Sequence, residues 1–246
     1  MFKAVINAEV LKDALEAVST LVDEAKFKIT KDGMSARAVD PANVAMVAFD
    51  LSAKAFETYD ATDGEIGVDL TRLNDILGMT SKDDKIELNL NEETRKMEIK
   101  TGGLAYTLSL LDPTSIRKEP KVPNLELPAK IVVNGAELKR AVKAAEKVSD
   151  HMALGVVDKT FYVEAEGDLD KVRLDIPESS LISIQSTGNV RSLFSLDYLN
   201  DLAKSLGKAE RVNIDLGTDY PVKFTFNIAG GNGTVTYLLA PRIESE

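Results

Sequence analysis

Lys139, Lys143 and Lys147 recur every four residues, and Arg140 lies one turn before Lys143. Residues four apart share a helix face. The stretch AELKRAVKAAEKVSD would therefore project a row of cations beside an apolar stripe of Leu138, Ala141, Val142, Ala145 and Val148. The chemistry open to such a row is electrostatic: it can attract phosphates without reading bases. Lys204 and Lys208 add cations to a later region, whereas the two earlier helices offer only Lys12 and Arg72. Glu137, Glu146, Asp13, Glu16, Asp75, Asp197 and Asp201 dilute the charge. One such helix alone reads more simply as a solvated amphipathic helix, and the phosphate reading needs several helices sharing a face of one object.

Other chemistries find little support. His151 is the only histidine, placed just past the third helix as a loop or cap residue, and cysteine is absent. Disulfides, thiolate metal sites, Cys nucleophiles and His-centred metal sites are thereby excluded. No nucleophile elbow or P-loop occurs; the GGNG at 230–233 lacks the following Lys-Ser/Thr and reads as a hairpin turn. Asp83-Asp84, Glu92-Glu93 and Asp168/Asp170 could suggest Mg²⁺ sites of a metal-dependent nucleic-acid enzyme, but they fall in turns without a partner group in sequence. No metal or cofactor is expected. The formal charge of −10 argues against a surface coated in nucleic acid, so the placement of the cations decides the matter.

The elements that would carry those cations repeat. Four short apolar strands each run into a helix: FKAVIN into 8–22, GEIGVDL into 71–80, AKIVVNG into 136–149 and VRSLFSL into 197–206. Leu11, Leu73, Leu138 and Leu199 are matching anchors, 62, 65 and 61 residues apart. Such a period points to one module used four times. Between the helices, segments such as KIELNLN, TFYVEAE and VKFTFNIA alternate apolar and polar residues, the mark of half-buried antiparallel strands. The fold class is α+β, helices packed on one face of antiparallel sheets. Four of the eight prolines fall in 112–128, which reads as an extended linker between halves 1–111 and 129–246, each of two modules. No apolar run approaches a membrane span, and the start MFKAVINAEV lacks the pattern of a secretory leader, so a cytoplasmic protein is expected.

Specific segments carry a resemblance over essentially the whole length. They are MFKA with LKDALEAVSTLVDEA, AVDPANVAMV, GVDLTRLNDIL, the linker, FSLDYLNDLAK, YPVKFTFNIAGGNGTVTYLLAP and the tail APRIESE. The runs Ala38-Val39-Asp40-Pro41 and Tyr237–Glu244 are the most specific. On these the chain resembles the sliding clamps of the proliferating cell nuclear antigen family, archaeal ones above all. The resemblance implies a DNA-clamp fold of two similar domains, closing as a homotrimer with sheets outside and helices lining a ring. Twelve helices, at roughly 8–10 Å between packed axes, make a circle roughly 30–38 Å across, wide enough for a B-form duplex with water between. Its role would be processivity: encircling double-stranded DNA without sequence preference and tethering a replicative DNA polymerase, clamp loader, flap endonuclease, DNA ligase and other short-motif partners, near the nucleoid and with no catalysis of its own.

Residue by residue, the resemblance places Lys12, Arg140, Lys143, Lys147 and Lys204 among inward cations; Arg72, Lys139 and Lys208 join them from helix position. Asp75 and Gly78 stand where many relatives carry Lys, a departure that leaves the second helix's DNA contact open. Ring closure would join unlike edges: the strand Ala105–Leu111, with Tyr106, Leu108 and Leu110, against Lys171–Ile176, with Val172, Leu174 and Ile176. A partner groove would be lined by Val39, Leu125, Leu127, Pro221, Leu238, Ala240 and Pro241, with Leu238 in place of an aromatic found in some relatives. The tail Glu244-Ser245-Glu246 is expected to be a solvated end. One member of a heterotrimer and a monomeric interaction scaffold remain the rival readings.

Overall fold

The computed structural model describes residues 1–243, so the terminal Glu244-Ser245-Glu246 lies outside the described residues. The chain divides into two compact units, one of residues 1–122 and 227–235, the other of 123–226 and 236–246. Elements up to the middle of the chain are β1 (Phe2–Asn7), α1 (Ala8–Ser19), β2 (Glu24–Thr30), β3 (Gly33–Val39), β4 (Ala45–Ser52), β5 (Thr58–Ala61), β6 (Gly64–Asp69), α2 (Leu70–Gly78), β7 (Lys85–Asn91), β8 (Lys96–Thr101) and β9 (Leu104–Ser109). There follow β10 (Ala129–Val133), α3 (Gly135–Ala145), β11 (His151–Val157), β12 (Thr160–Glu166), β13 (Lys171–Pro177), β14 (Ser183–Ser186), β15 (Val190–Ser195), α4 (Leu196–Leu206), β16 (Val212–Leu216), β17 (Val222–Ile228) and β18 (Gly233–Leu239).

The same wiring occurs twice. In the first unit the strand before each helix pairs with the strand that follows the other helix: β1 with β7 (Ala4 opposite Leu88) and β6 with β2 (Ile66 opposite Phe27). In the second unit β10 pairs with β16 (Ile131 opposite Ile214) and β15 with β11 (Leu193 opposite Ala153). The first unit thus holds the antiparallel orders β5-β1-β7-β8-β9 and β6-β2-β3-β4; the second holds β14-β10-β16-β17 and β13-β12-β11-β15. Alternation sets the faces. The strand FKAVIN buries Phe2, Ala4 and Ile6, and VNIDL buries Val212, Ile214 and Leu216.

Each helix starts where a polar residue ends the preceding strand. Asn7 accepts from the Glu9 and Val10 N–H groups, Asp69 from Arg72 N and Asn134 from Ala136 N. This is why α2 and α3 begin one residue earlier than the apolar spacing predicts; α4 also begins one residue early, at Leu196, without a side-chain cap from Ser195. Helices α2 and α3 also end earlier, whereas α4 closes at Leu206 as the spacing predicts. Helix α3 closes at Ala145, so Lys147 and Val148 leave the helical stripe and sit in turns on the carbonyls of Ala144 and Ala145.

In each unit the two helices pack side by side, α1 with α2 and α3 with α4. Their ends interlock through one repeated bond. The first helical N–H donates to a carbonyl just beyond the neighbour's C-terminus: Ala8 to Asp84 (2.8 Å), Leu70 to Asp23 (2.8 Å), Gly135 to Ala209 (3.0 Å) and Leu196 to Asp150 (2.9 Å). At Gly135 the approach is closest, and a Cβ there would lie 1.9 Å from the Leu206 carbonyl oxygen. Gly135→Ala should therefore lower the unfolding free energy by roughly 1–3 kcal/mol, the scale of an overpacked site, read as a shifted urea midpoint; an unchanged midpoint would contradict the close approach.

Candidate nucleic-acid interface and partner groove

With one face of each helix buried, the cations occupy what remains. Lys143 and Lys147 are exposed and, among the described residues, carry no hydrogen bond or ion pair from their side chains. Arg140 pairs with Glu137 (2.6 Å), Lys204 with Asp201 (2.8 Å) and Arg72 with Asp69 (3.4 Å), all as exposed pairs three residues apart. Such surface pairs contribute about 0–1 kcal/mol, so each cation can exchange its carboxylate for a phosphate at small cost. Lys208 is exposed beyond the end of α4.

Two predicted cations are otherwise engaged. Lys12 is half-buried and its Nζ donates to the Thr80 carbonyl (2.7 Å), closing the orphaned end of α2. Lys139 is half-buried because its alkyl stem lies over Gly207, where a Cβ would fall 2.4 Å from the lysine Cδ. Sequence spacing also missed Lys82, which lies in the loop after α2 and pairs with Glu9 at the start of α1 (2.6 Å); that hydrogen bond holds its ammonium above the ordinary lysine range. Carrying Lys208 through the repeat would have found it, since both sit in the loop that follows the second helix of a unit. The α3–α4 pair is thus the more cationic, and α2 exposes Asp75 and Gly78.

The carboxylate pairs have local roles. Asp84 accepts from Ser81 N (2.7 Å) and Glu92 holds the N-terminal ammonium, while at Asp170 it is the backbone carbonyl, accepting from Gly167 N (2.9 Å), that closes the β12–β13 turn. Among the described residues no group of three or more His, Cys, Asp and Glu is placed to hold a metal ion. His151 opens β11 instead of lying in a loop. Arg242 Nη1 lies 2.5 Å from its Nε2, and an arginine can only donate, so that nitrogen is the acceptor.

The two proposed edges are each paired on one side only, β9 with β8 and β13 with β12. On β9, Tyr106 is half-buried and Leu108 buried. The strand closes at Ser109, so Leu110 lies beyond the edge, its N–H on the Arg95 carbonyl (3.0 Å). On β13, Val172 and Leu174 are half-buried and Ile176 is buried. Its outward face is ionic. Glu164, 15% exposed, lies 3.2 Å from both Lys171 and Arg173, and Arg173 also pairs with Asp175 and stacks 4.0 Å from the Tyr162 ring centre.

In the predicted groove, Leu127 and Leu238 are buried within the second unit, Leu127 against Gly217. Leu125, Pro221, Ala240 and Pro241 are half-open there, and Val39 is half-open in the first unit. Tyr220, which the spacing did not single out, is 56% exposed beside Pro221. Its turn is braced by buried Ser192, which donates to Gly217 O and accepts from Asp219 N, both at 2.7 Å. A lone aromatic in a polar turn carries no periodic signal.

The proliferating cell nuclear antigen N-terminal domain matches residues 1–101 and the C-terminal domain of that antigen matches residues 121–242. The chain belongs to the proliferating cell nuclear antigen family. A DNA polymerase sliding clamp of Methanocella arvoryzae is 85% identical, with both chains covered in full. The A. fulgidus member of the family, solved with the C-terminal region of FEN-1, superposes with a TM-score of 0.94 at 42% identity, 100% of each chain covered. The Thermococcus kodakaraensis member gives 0.91 at 28% identity, covering 98% of this chain and 100% of that one. The clamp fold expected from the sequence is the fold observed.

The ionic face of β13 supplies a pH test. Burial alone would raise the Glu164 carboxyl, but hydrogen bonds from Arg173 and Lys171 outweigh it and hold it below the ordinary 4.5. A lowered native value stabilises fully above the unfolded pKa and is lost as pH falls below 4.5 through the native value. Glu164→Gln should cost roughly 1–2 kcal/mol at neutral pH and flatten the acid limb of stability against pH; an unchanged acid limb would refute the pairing.

Proposed function

We propose that this chain is a DNA polymerase sliding clamp: a processivity factor whose copies close into a homotrimeric ring around duplex DNA and tether replication and repair enzymes. The observation that carries this reading is the exposed cationic row of Lys143 and Lys147, with Arg140 and Lys204, on a chain whose formal charge is −10. An acidic exterior repels nucleic acid, while a few exposed cations attract the phosphate backbone weakly, without base contacts and in a salt-dependent way. Weak, sequence-blind contact permits sliding, which tight contact would stall. Family membership and the clamp activity named for the 85%-identical relative support the same reading.

Closure is proposed between β9 of one copy and β13 of the next. One chain carries both open edges, so copies of it can close a ring without a second kind of subunit. Residues 112–128 act as the connecting strap between functional halves 1–111 and 129–246. Partners dock short motifs beside the strap, on Leu125, Pro221, Ala240 and Pro241 with Tyr220 at the margin. Among them are a replicative polymerase, a clamp loader, DNA ligase and a flap endonuclease, the last by analogy with the FEN-1 region bound to the A. fulgidus relative. The clamp performs no catalysis: it links enzymes topologically to DNA and raises their local concentration. It works in the cytoplasm, where the nucleoid lies; among the described residues no helix is long and apolar enough to cross a membrane.

Reversing both free lysines, Lys143→Glu with Lys147→Glu, should lower clamp-dependent DNA synthesis several-fold near physiological salt and leave the assembled mass unchanged. The slope of log affinity against log salt should flatten by roughly 0.9 for each phosphate no longer neutralised. Unaltered synthesis with an unaltered slope would remove these lysines from the DNA path.

A further inference from the structure

The strap does not hang freely over its whole length. Leu111 N–H donates to Gly67 O (2.9 Å), and the Ile116 side chain covers Gly67, where a Cβ would lie 2.8 Å from Ile116 Cδ1. Asp112 accepts from both Thr114 N (2.9 Å) and Thr114 Oγ1 (2.8 Å). Further on, Glu119 pairs with Lys28 of β2 (2.5 Å), whose ammonium that hydrogen bond raises above its ordinary range. From 121 to 126, by contrast, no hydrogen bond or ion pair is found among the described residues, and every residue but the half-buried Leu125 is exposed.

Arg117 is the two-pronged tie in the anchored part. Its Nη1 donates to the Asp40 carbonyl (3.0 Å) and its Nη2 to the Asn43 side-chain oxygen (2.5 Å), across 77 and 74 residues of sequence. The loop it grips is already rigid. Asp40 is 4% exposed, and its carboxylate accepts from Ala42 N (3.0 Å), Val44 N (2.7 Å) and Ala45 N (2.8 Å). Asn43 sits at φ 60°, a conformation that asparagine tolerates and that turns its amide outward to the guanidinium. A planar fork meeting two fixed acceptors constrains direction as well as distance, which a point charge would not.

We propose that Arg117 is a positioning residue for partner docking: it clamps the strap to the Asp40–Asn43 loop and thereby fixes where, and in what direction, the free segment 121–126 begins. The inference rests on the partner-docking reading above. A bound motif must order the free segment, and each residue ordered costs conformational entropy. With Arg117 in place only six residues need ordering. Without it the strap beyond Ile116 is held only by the solvent-accessible Glu119–Lys28 pair, a single point contact that fixes no direction, so more of the strap must be ordered on docking and the same contacts yield weaker binding.

The test is calorimetric binding of a synthetic peptide copying the C-terminal region of FEN-1 to the full-length wild-type, Arg117→Ala and Arg117→Lys proteins, with thermal melting and assembled mass measured alongside. Arg117→Ala should bind about ten-fold more weakly, with the loss in the entropy of binding, at unchanged melting temperature and mass. Arg117→Lys, which keeps one prong, should fall between. Asn43→Ala should weaken binding in the wild-type background and add little to Arg117→Ala, because the two residues act through one contact. Wild-type affinity in Arg117→Ala would overturn the inference while leaving partner docking intact. Affinity that falls only together with melting temperature, and is not restored by lysine, would overturn it in favour of a purely structural role. No binding by the wild-type protein would overturn both the docking reading and this inference.

Discussion

A helix leaves its first N–H groups and last carbonyls without partners inside the helix, and a short helix has few other bonds to offset that cost. Here four helices of 9 to 12 residues meet the requirement in the same way, each giving its first N–H to a carbonyl just past its neighbour's end. This bond forces the helices of a unit to lie antiparallel with matched ends. It fixes which strand pairs with which, since the strand feeding one helix must lie beside the strand leaving the other. Gly135, with no side chain to obstruct the Leu206 carbonyl, marks where the fit is tightest. The pairing of β1 with β7 and of β10 with β16 follows from that constraint.

Charge is then distributed by what packing leaves free. The helices bury alanine, leucine and valine toward the sheets, so lysine stems compete for the remaining surface. Lys12 and Lys139 lose that competition, one bonded to a helix end and the other lying over Gly207. Lys143 and Lys147 keep open faces. The result is a modest cationic strip on an acidic molecule, suited to transient phosphate contact. The same economy appears at β13, where Glu164 gathers Lys171 and Arg173 into a compact ionic cluster beside an open strand edge.

The four-fold period and the antiparallel strands are written in residue spacing, because periods of two and of 3.6 survive in sequence whatever the tertiary packing. Helix ends are less legible. The spacing of Lys147 continues the helical row, yet the α3 ladder stops at Ala145. Burial is less legible still. Leu127 and Leu238 have the chemistry of a docking groove, but their neighbours cover them, whereas Tyr220 is open because a turn held by Ser192 leaves it so. Arg117 could not be found by spacing at all, since its acceptors lie 74 and 77 residues away. The linker's prolines read as an extended strap, but the bonds tying down its first half are long-range.

The central claim is a closed ring of three identical chains. Light scattering after size exclusion, at low and high salt, tests it most directly. Three chains of 26.7 kDa give 80.1 kDa, and the account predicts that mass at low salt, persisting at high salt because closure rests on paired strand edges and apolar side chains as well as on charge. A mass of 26.7 kDa in both salts would mean that the open edges do not pair with each other, and would contradict the account.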